Sequence, residues 1–316
     1  MKFSKDFKEI KGDASFRKFY RNTKKNSIIV FANKEKTKNL LIYDSINKIL
    51  IKNNIIAPQL LSQNYKKNYI EIQDLGKKTI YQIFSNYKKK QYPIFKKAIN
   101  VLNKIQLVKD KKIKNFKNEF YLIKDYKNKI LLDEANLFSH WYVPKKLDKK
   151  KINIFKTKFN REIKLLLSKL HFKNDTFVHR DFHVSNLIVN SKNQIGLIDN
   201  QDALIGNKAY DLASLIDDVR YKTSNSLKEK VYNYYLMTNK KINADKFKND
   251  YDILSVLRNL KIIGIFMRLA ERDKKRKYLK LIPYAWKMID NRIGKNKDLV
   301  NLKLLLETNF PKFITK

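Results

Sequence analysis

Cysteine is absent from this chain, which rules out disulfides, zinc–thiolate centres and thiol catalysis. Long hydrophobic runs are absent too. No stretch approaches the ~18 uncharged apolar residues that a membrane span requires. The opening MKFSKDFKEI has no apolar core of a secretory leader. The expectation is a soluble, cytoplasmic protein that engages no membrane. Acidic residues are few: 30 Asp and Glu face 70 Lys and Arg, for a formal net charge of +40. Such an excess suits a nucleic-acid binder, yet the lysines are spread along the whole length rather than gathered in one segment. They accompany abundant Asn, Ile, Tyr and Phe, the residues of AT-rich codons. Compositional bias therefore accounts for the charge, and no specific nucleic-acid partner is expected, although such a field still attracts polyanions.

The bias makes the exceptions informative. Only ten arginines stand among the 70 basic residues: Arg17, Arg21, Arg161, Arg180, Arg220, Arg258, Arg268, Arg272, Arg276 and Arg292. Where a bare positive charge serves, this composition supplies Lys, so a retained Arg points to a need for its planar, bidentate fork. Glycines number six, and Gly12, Gly76, Gly196 and Gly206 fall in segments that carry motifs. A length of 316 residues suits one large two-lobed domain or two ordinary ones. There is no internal repeat.

The chemistry centres on 176–199, TFVHRDFHVSNLIVNSKNQIGLID, which reads as a short strand, a loop and a β-hairpin. His179-Arg180-Asp181 is followed five residues after the Asp by Asn186, and the hairpin closes at Asp199. This is the H-R-D-x-x-x-x-N pattern of kinase-like phosphotransferases. In that pattern Asp181 takes the proton from a substrate hydroxyl, while Asn186 and Asp199 hold the metal that bridges the ATP phosphates. A polar turn between buried strands would also use Asp and Asn; the ordered set of three is what favours the kinase reading.

Upstream, 11–33 reads as a hairpin with strands over 15–21 and 27–32, where a kinase places its phosphate-covering loop. Backbone N–H groups of 13–16 would cradle phosphate, and Arg17 or Arg21 would add charge. Helical spacing over 38–53 puts Leu41, Ile46, Ile49 and Leu50 on one stripe. Strands follow at 59–61 and 68–73, then Asp74-Leu75-Gly76 and a helix N-capped by Thr79. This reads either as a hinge between lobes, with adenine against backbone near Gln73 and Leu75, or as an exposed turn. Residues 80–170 read as helices, with 145–151 a charged connector. There Glu134, Leu137, Phe138 and Trp141 share one helical face, which suits either a sugar or core packing. After the hairpin, Asp211 begins a helix running to about Arg220, where it serves as N-cap, reaches back to brace the catalytic loop through Arg180 or backbone N–H groups, or does both. A buried helix over 253–272 carries a basic seam of Arg258, Lys261, Arg268 and Arg272 that serves either an anionic ligand or structural ion pairs.

Together these segments resemble the aminoglycoside-phosphotransferase-like kinases, and more closely the cell-wall amino-sugar anomeric kinases. The resemblance rests on Gly12-Asp13-Ala14-Ser15-Phe16-Arg17, Asp74-Leu75-Gly76, HRDFHVSN (179–186), IDNQDALIGNKAYDLASLIDD (198–218) and RNLKIIGIFMRLAERD (258–273). It implies an α+β, bilobal protein-kinase-like fold with an N-lobe over 1–76 and a helical C-lobe over 77–316. It implies ATP-dependent transfer, with Mg2+, to a sugar hydroxyl, most closely the anomeric hydroxyl of N-acetylmuramate or N-acetylglucosamine, by a cytoplasmic monomer. The small-molecule partner is then an amino sugar. Carried over, the resemblance makes Asp181 the catalytic base, with His183 and Arg180 in its loop, and Asn186 and Asp199 the metal ligands. Gly12 to Arg17 cover the phosphates, Gln73, Asp74 and Leu75 form the adenine hinge, and Glu134, Trp141, Asp202 and Arg258 line the sugar pocket. Two departures stand out. The strand 27–32 lacks the Lys that kinases aim at the phosphates, and Asn200 stands where Phe usually follows the metal-binding Asp. The rival readings are a kinase of another small alcohol, of choline, aminoglycoside or homoserine type, and a non-catalytic nucleic-acid binder.

Overall fold

The structure, a computed structural model, describes residues 6–10, 17–32, 39–87 and 91–313. Contacts gather the chain into two compact units, 1–124 with 179–204 and 125–178 with 205–316.

The first unit is built on strands β1 (Phe7–Ile10), β2 (Arg17–Asn22) and β3 (Ser27–Ala32), helix α1 (Asn39–Lys52), and strands β4 (Leu60–Asn64) and β5 (Tyr69–Gln73). The strands form one antiparallel sheet in the order β1-β2-β3-β5-β4. In β3, sequence SIIVFA, alternate residues face the same way, so Val30 and Ala32 join Ile70 and Ile72 of β5 in one core with Leu40 and Tyr43 of α1. Helix α1 buries Leu41, Ile46, Ile49 and Leu50 as the spacing predicts; each such side chain contributes roughly 1.5–3 kcal/mol when fully buried. Helix α2 (Ile80–Asn86) opens on Thr79, whose hydroxyl and Gln82 complete a reciprocal capping box. Helix α3 (Gln91–Gln106) buries Phe95, Ile99, Leu102 and Ile105. The expected all-helical stretch is then interrupted by a hairpin, β6 (Lys112–Lys114) with β7 (Phe120–Leu122). Its three-residue strands are too short to show a period. Asn118 turns the chain at φ 61°, and the Asn115 side chain accepts from the Lys117 and Glu119 N–H groups.

The second unit begins with α4 (Asn128–Leu137), α5 (Lys149–Ser168) and β8 (Thr176–Val178). The chain then supplies β9 (Leu187–Val189) and β10 (Ile195–Leu197) to the first unit. It continues as β11 (Leu204–Gly206), α6 (Ala209–Ile216), α7 (Asn225–Thr238), α8 (Ala244–Glu271), α9 (Ile282–Ile293) and α10 (Val300–Asn309). Helix α8 is the buried helix expected at 253–272, extended back to an Asn243 cap. It packs against α4, α6 and α9.

Four local readings change. Helix α4 runs into a π-helical turn, Phe138–Tyr142, whose extra residue per turn shifts Trp141 off the stripe expected with Glu134. The charged connector is shorter than 145–151, because α5 begins at Lys149. Asp211 lies inside the first turn of α6 rather than at its N-cap; the Asn207 side chain accepts the Ala209 N–H there instead. That helix ends at Ile216, short of Arg220, and the next residue, Asp217, enters a buried cluster with Lys228, Tyr251, Ser255 and Arg292. Part of the basic seam on α8 proves structural: Lys261 pairs with Glu134 at 2.9 Å and Arg272 with Asp273 at 2.7 Å.

Candidate active site

The β9–β10 hairpin, with Leu187 opposite Leu197, brings Asn186 beside the residue preceding Asp199: the Ile198 N–H donates to the Asn186 carbonyl at 3.1 Å. The side-chain amide of Asn186 points its Nδ2 inward, donating to the Asp181 carbonyl at 3.1 Å and lying 3.5 Å from His183 Nε2. Its Oδ1 accepts from no described residue. His179, fully buried, ties the two carboxylate-bearing segments together. Its Nδ1 accepts from the Asp181 N–H at 3.3 Å, and so its Nε2–H faces the Ile198 carbonyl at 3.1 Å. Arg180 takes the left-handed conformation, φ 72°, and donates to the Asp202 carbonyl at 3.0 Å. His183 is buried.

Asp199 is also left-handed, at φ 64°, immediately before a single 3-10 turn, Asn200–Asp202. Asn200 is fully buried and donates to Asn47 of α1 at 2.8 Å and to the Leu197 carbonyl at 3.2 Å. The expected Phe is thus replaced by a polar tie to the helix. Arg17 Nη2 donates to Asp199 Oδ1 at 2.8 Å and Nη1 to Asn39 Oδ1 at 3.0 Å, while Asp199 Oδ2 accepts from no described residue. Burial lifts the Asp199 carboxyl above its ordinary value; Arg17 offsets part of that, and the charges of Asp181 and Asp202 add to it.

These residues suit a magnesium ion. Asn186 offers a fixed amide oxygen and Asp199 an unused carboxylate oxygen. Among the described residues no three His, Cys, Asp or Glu side chains form a metal site. A magnesium ion held by one or two protein oxygens completes its shell with phosphates and water.

The 73–76 segment lies against the same hairpin. Gly76 adopts φ 125°, a region closed to other residues, and Gly196 of β10 leaves room for Leu75, whose Cδ1 would stand 2.8 Å from an added Cβ. Arg21, offered from sequence as a phosphate contact, instead grips Asp74 with two nitrogens, at 2.5 and 3.2 Å, and the Gly76 carbonyl at 3.0 Å. The Gln73 and Asp74 N–H groups are taken by Gln59 and Asn26. The Leu75 N–H donates to no described residue.

The first unit thus collects Arg17, Gln73, Asp74, Leu75, Arg180, Asp181, His183, Asn186, Asp199 and Asp202. Gly12, Asp13, Ala14, Ser15 and Phe16 lie outside the described residues. Glu134, Trp141 and Arg258 belong to the second unit. Glu134 accepts from the Tyr126 hydroxyl and from Lys261, Trp141 is half-buried in the π-turn, and Arg258 is buried in α8. The sequence reading gave no part to His179, Asn39 or Arg21's hold on Asp74. His179 could have been found from its place heading the H-R-D triplet; the other two arise only from the register of β2 against β3 and the start of α1.

Residues 6–244 match the model of a family described as "Phosphotransferase enzyme family". The N-acetylmuramate/N-acetylglucosamine kinase of Pseudomonas putida is 26% identical over 301 residues, covering 93% of this chain and 85% of that protein. A choline/ethanolamine kinase family protein from Mesorhizobium loti superposes with a TM-score of 0.63 at 11% identity, covering 96% of this chain and 93% of its own. The GDP and kanamycin complex of APH(2")-IIia superposes at 0.62 and 13% identity, covering 89% and 93%. The fold is that of small-molecule kinases.

Proposed function

We propose, on the premise that the chain belongs to the phosphotransferase enzyme family, that it transfers the γ-phosphoryl group of ATP to the anomeric hydroxyl of N-acetylmuramate or N-acetylglucosamine. The observation that carries the chemistry is the hairpin that joins Asn186 and Asp199 at one end, with His179 tying Asp181 to the same end. The amino sugar rests on the name of the relative alignable over 93% of this chain.

In this reading Asp181 accepts the proton of the sugar hydroxyl as that oxygen attacks, and the γ-phosphoryl leaves ADP. His179 fixes the height of Asp181 relative to Asp199, and Asn186 and Asp199 hold the magnesium ion, which when bound neutralises charge on the phosphates. Leu75 offers the hinge N–H to adenine, with Gln73 and Asp74 framing it. Gly12 to Arg17 cover the phosphates, while Arg180 and His183 shape the catalytic loop. Glu134, Trp141, Asp202 and Arg258 serve the sugar. The lobes divide near Gly76, and the enzyme works as a cytoplasmic monomer, with no specific nucleic-acid partner. Positioning and charge neutralisation supply most of the acceleration, since the loose transition state needs little covalent help.

A panel assay of ADP release tests this, with N-acetylmuramate, N-acetylglucosamine, choline, homoserine and kanamycin as acceptors. The expected result is acceptor-dependent turnover with the two amino sugars. Turnover with choline or kanamycin alone would overturn the substrate assignment and leave the phosphotransferase intact.

A further inference from the structure

The phosphate-facing lysine of a kinase sheet has no counterpart on β3, whose residues are SIIVFA. The neighbouring strand supplies a cation at the same level. Arg17 opens β2 directly opposite Ala32, the last residue of β3. It follows immediately after the 12–16 segment assigned to the phosphates. Its side chain is only 5% exposed, so it is a placed group rather than a solvated surface charge.

Its partners differ from those of a kinase lysine. Where that lysine is held by a helix Glu, Arg17 is oriented by a neutral amide, Asn39 Oδ1 at 3.0 Å at the start of α1. The amide directs the guanidinium without cancelling its charge. Among the described residues Arg17 also meets an acid, Asp199, through Oδ1 at 2.8 Å. A guanidinium on Oδ1 and a divalent ion on Oδ2 repel one another across a single carboxylate, so each weakens the other's hold on Asp199. A guanidinium also matches a phosphate bidentately, with five donors in a planar fork. It retains its charge on moving from one anion to the next.

We propose that Arg17 is an exchange cation: it neutralises Asp199 before the divalent ion arrives, then passes to the nucleotide phosphates and fills the role of the missing strand lysine. The inference rests on the phosphotransferase reading but not on the identity of the sugar. It makes nucleotide and metal binding cooperative, because the phosphates draw off the group that competes for the metal's carboxylate.

Two titrations without any acceptor test it, on wild type, Arg17→Met and Arg17→Lys. One follows Mn2+ alone by electron paramagnetic resonance; the other follows MgATP by calorimetry. Arg17→Met is expected to bind Mn2+ at least about tenfold more tightly than wild type and MgATP at least about tenfold more weakly. Arg17→Lys should stay near wild type for Mn2+ and fall between the two for MgATP. Unchanged MgATP affinity in Arg17→Met, or Mn2+ binding no tighter than wild type, would overturn the proposal. So would a loss of both ligands in both variants, which marks a brace for the fold alone. A wild type that binds no MgATP would overturn the phosphotransferase reading with it, whereas a failure of the amino-sugar assignment moves neither titration.

Discussion

Asp199, whose side chain is 36% exposed, and Asp217, which is fully enclosed, are two acids that the chain treats in opposite ways. Asp217 sits in the second unit with Lys228 at 2.9 Å, Arg292 gripping both its oxygens at 3.0 and 3.2 Å, and the Ser255 hydroxyl at 2.7 Å. Burial works to raise its carboxyl, but Arg292 and Lys228 more than reverse that, and it stands well below the usual carboxylate range. Asp199, in the first unit, has one guanidinium and like-charged neighbours, and its carboxyl stands above the usual value. Two cations around one acid make a closed structural cluster. One guanidinium beside an acid with acidic neighbours leaves room for a further cation, which suits the proposed metal ligand.

The contrast is broken most severely at Asp217. Asp217→Asn leaves Lys228 and Arg292 buried without their counter-charge and should cost about 3–5 kcal/mol of folding stability, read by urea denaturation. A loss below about 1 kcal/mol would show that the cluster does not brace the unit. At Asp199 the expected signature is reversed. Asp199→Asn should lower kcat at least about a hundredfold while costing clearly less stability than Asp217→Asn, since it unpairs one guanidinium rather than two cations and removes a charge that burial disfavours. A variant that loses stability and keeps turnover would erase the distinction.

Acid sharpens the same comparison. Because the folded-state value of Asp217 lies below that of the unfolded chain, its contribution is complete above about pH 4 and drains away as pH falls toward the folded value. Wild type should therefore lose stability on acidification through that range more steeply than Asp217→Asn; parallel acid limbs in denaturation curves would contradict this. The smallest effect concerns magnesium. At a concentration equal to its Kd the ion should add about 0.4 kcal/mol to wild-type stability, measured as a thermal shift that Asp199→Asn abolishes. A shift of equal size in the variant would place the ion elsewhere.

The comparison also explains what could be read from sequence. The Asp199 side was legible because its residues lie close together in the chain: H-R-D, Asn186, the hairpin and the closing Asp keep fixed spacings, and Asp74-Leu75-Gly76 ends a strand in the same unit. Thr79 was legible as a cap for the same reason. The Asp217 cluster was not, since Lys228, Tyr251, Ser255 and Arg292 come from three later helices and only packing brings them together. Strand β1 and the β6–β7 hairpin escaped because three or four residues carry no period. The scarcity of arginine was a usable signal in part: Arg21 and Arg292 each hold a carboxylate with two nitrogens, as the argument from the guanidinium fork expects. The charge pattern on α8 left two readings open, and the pairing of Lys261 with Glu134 could be recognised only once α4 was packed beside that helix.

The central claim is that Asp181 serves as the base for phosphoryl transfer to an amino sugar, and phosphorus NMR of one reaction tests it most directly. Wild type and Asp181→Asn are incubated with MgATP and N-acetylmuramate or N-acetylglucosamine. The account predicts a sugar 1-phosphate signal from wild type that forms at least about a hundredfold more slowly in the variant. A phosphate on another hydroxyl, or equal rates from the two proteins, would contradict it.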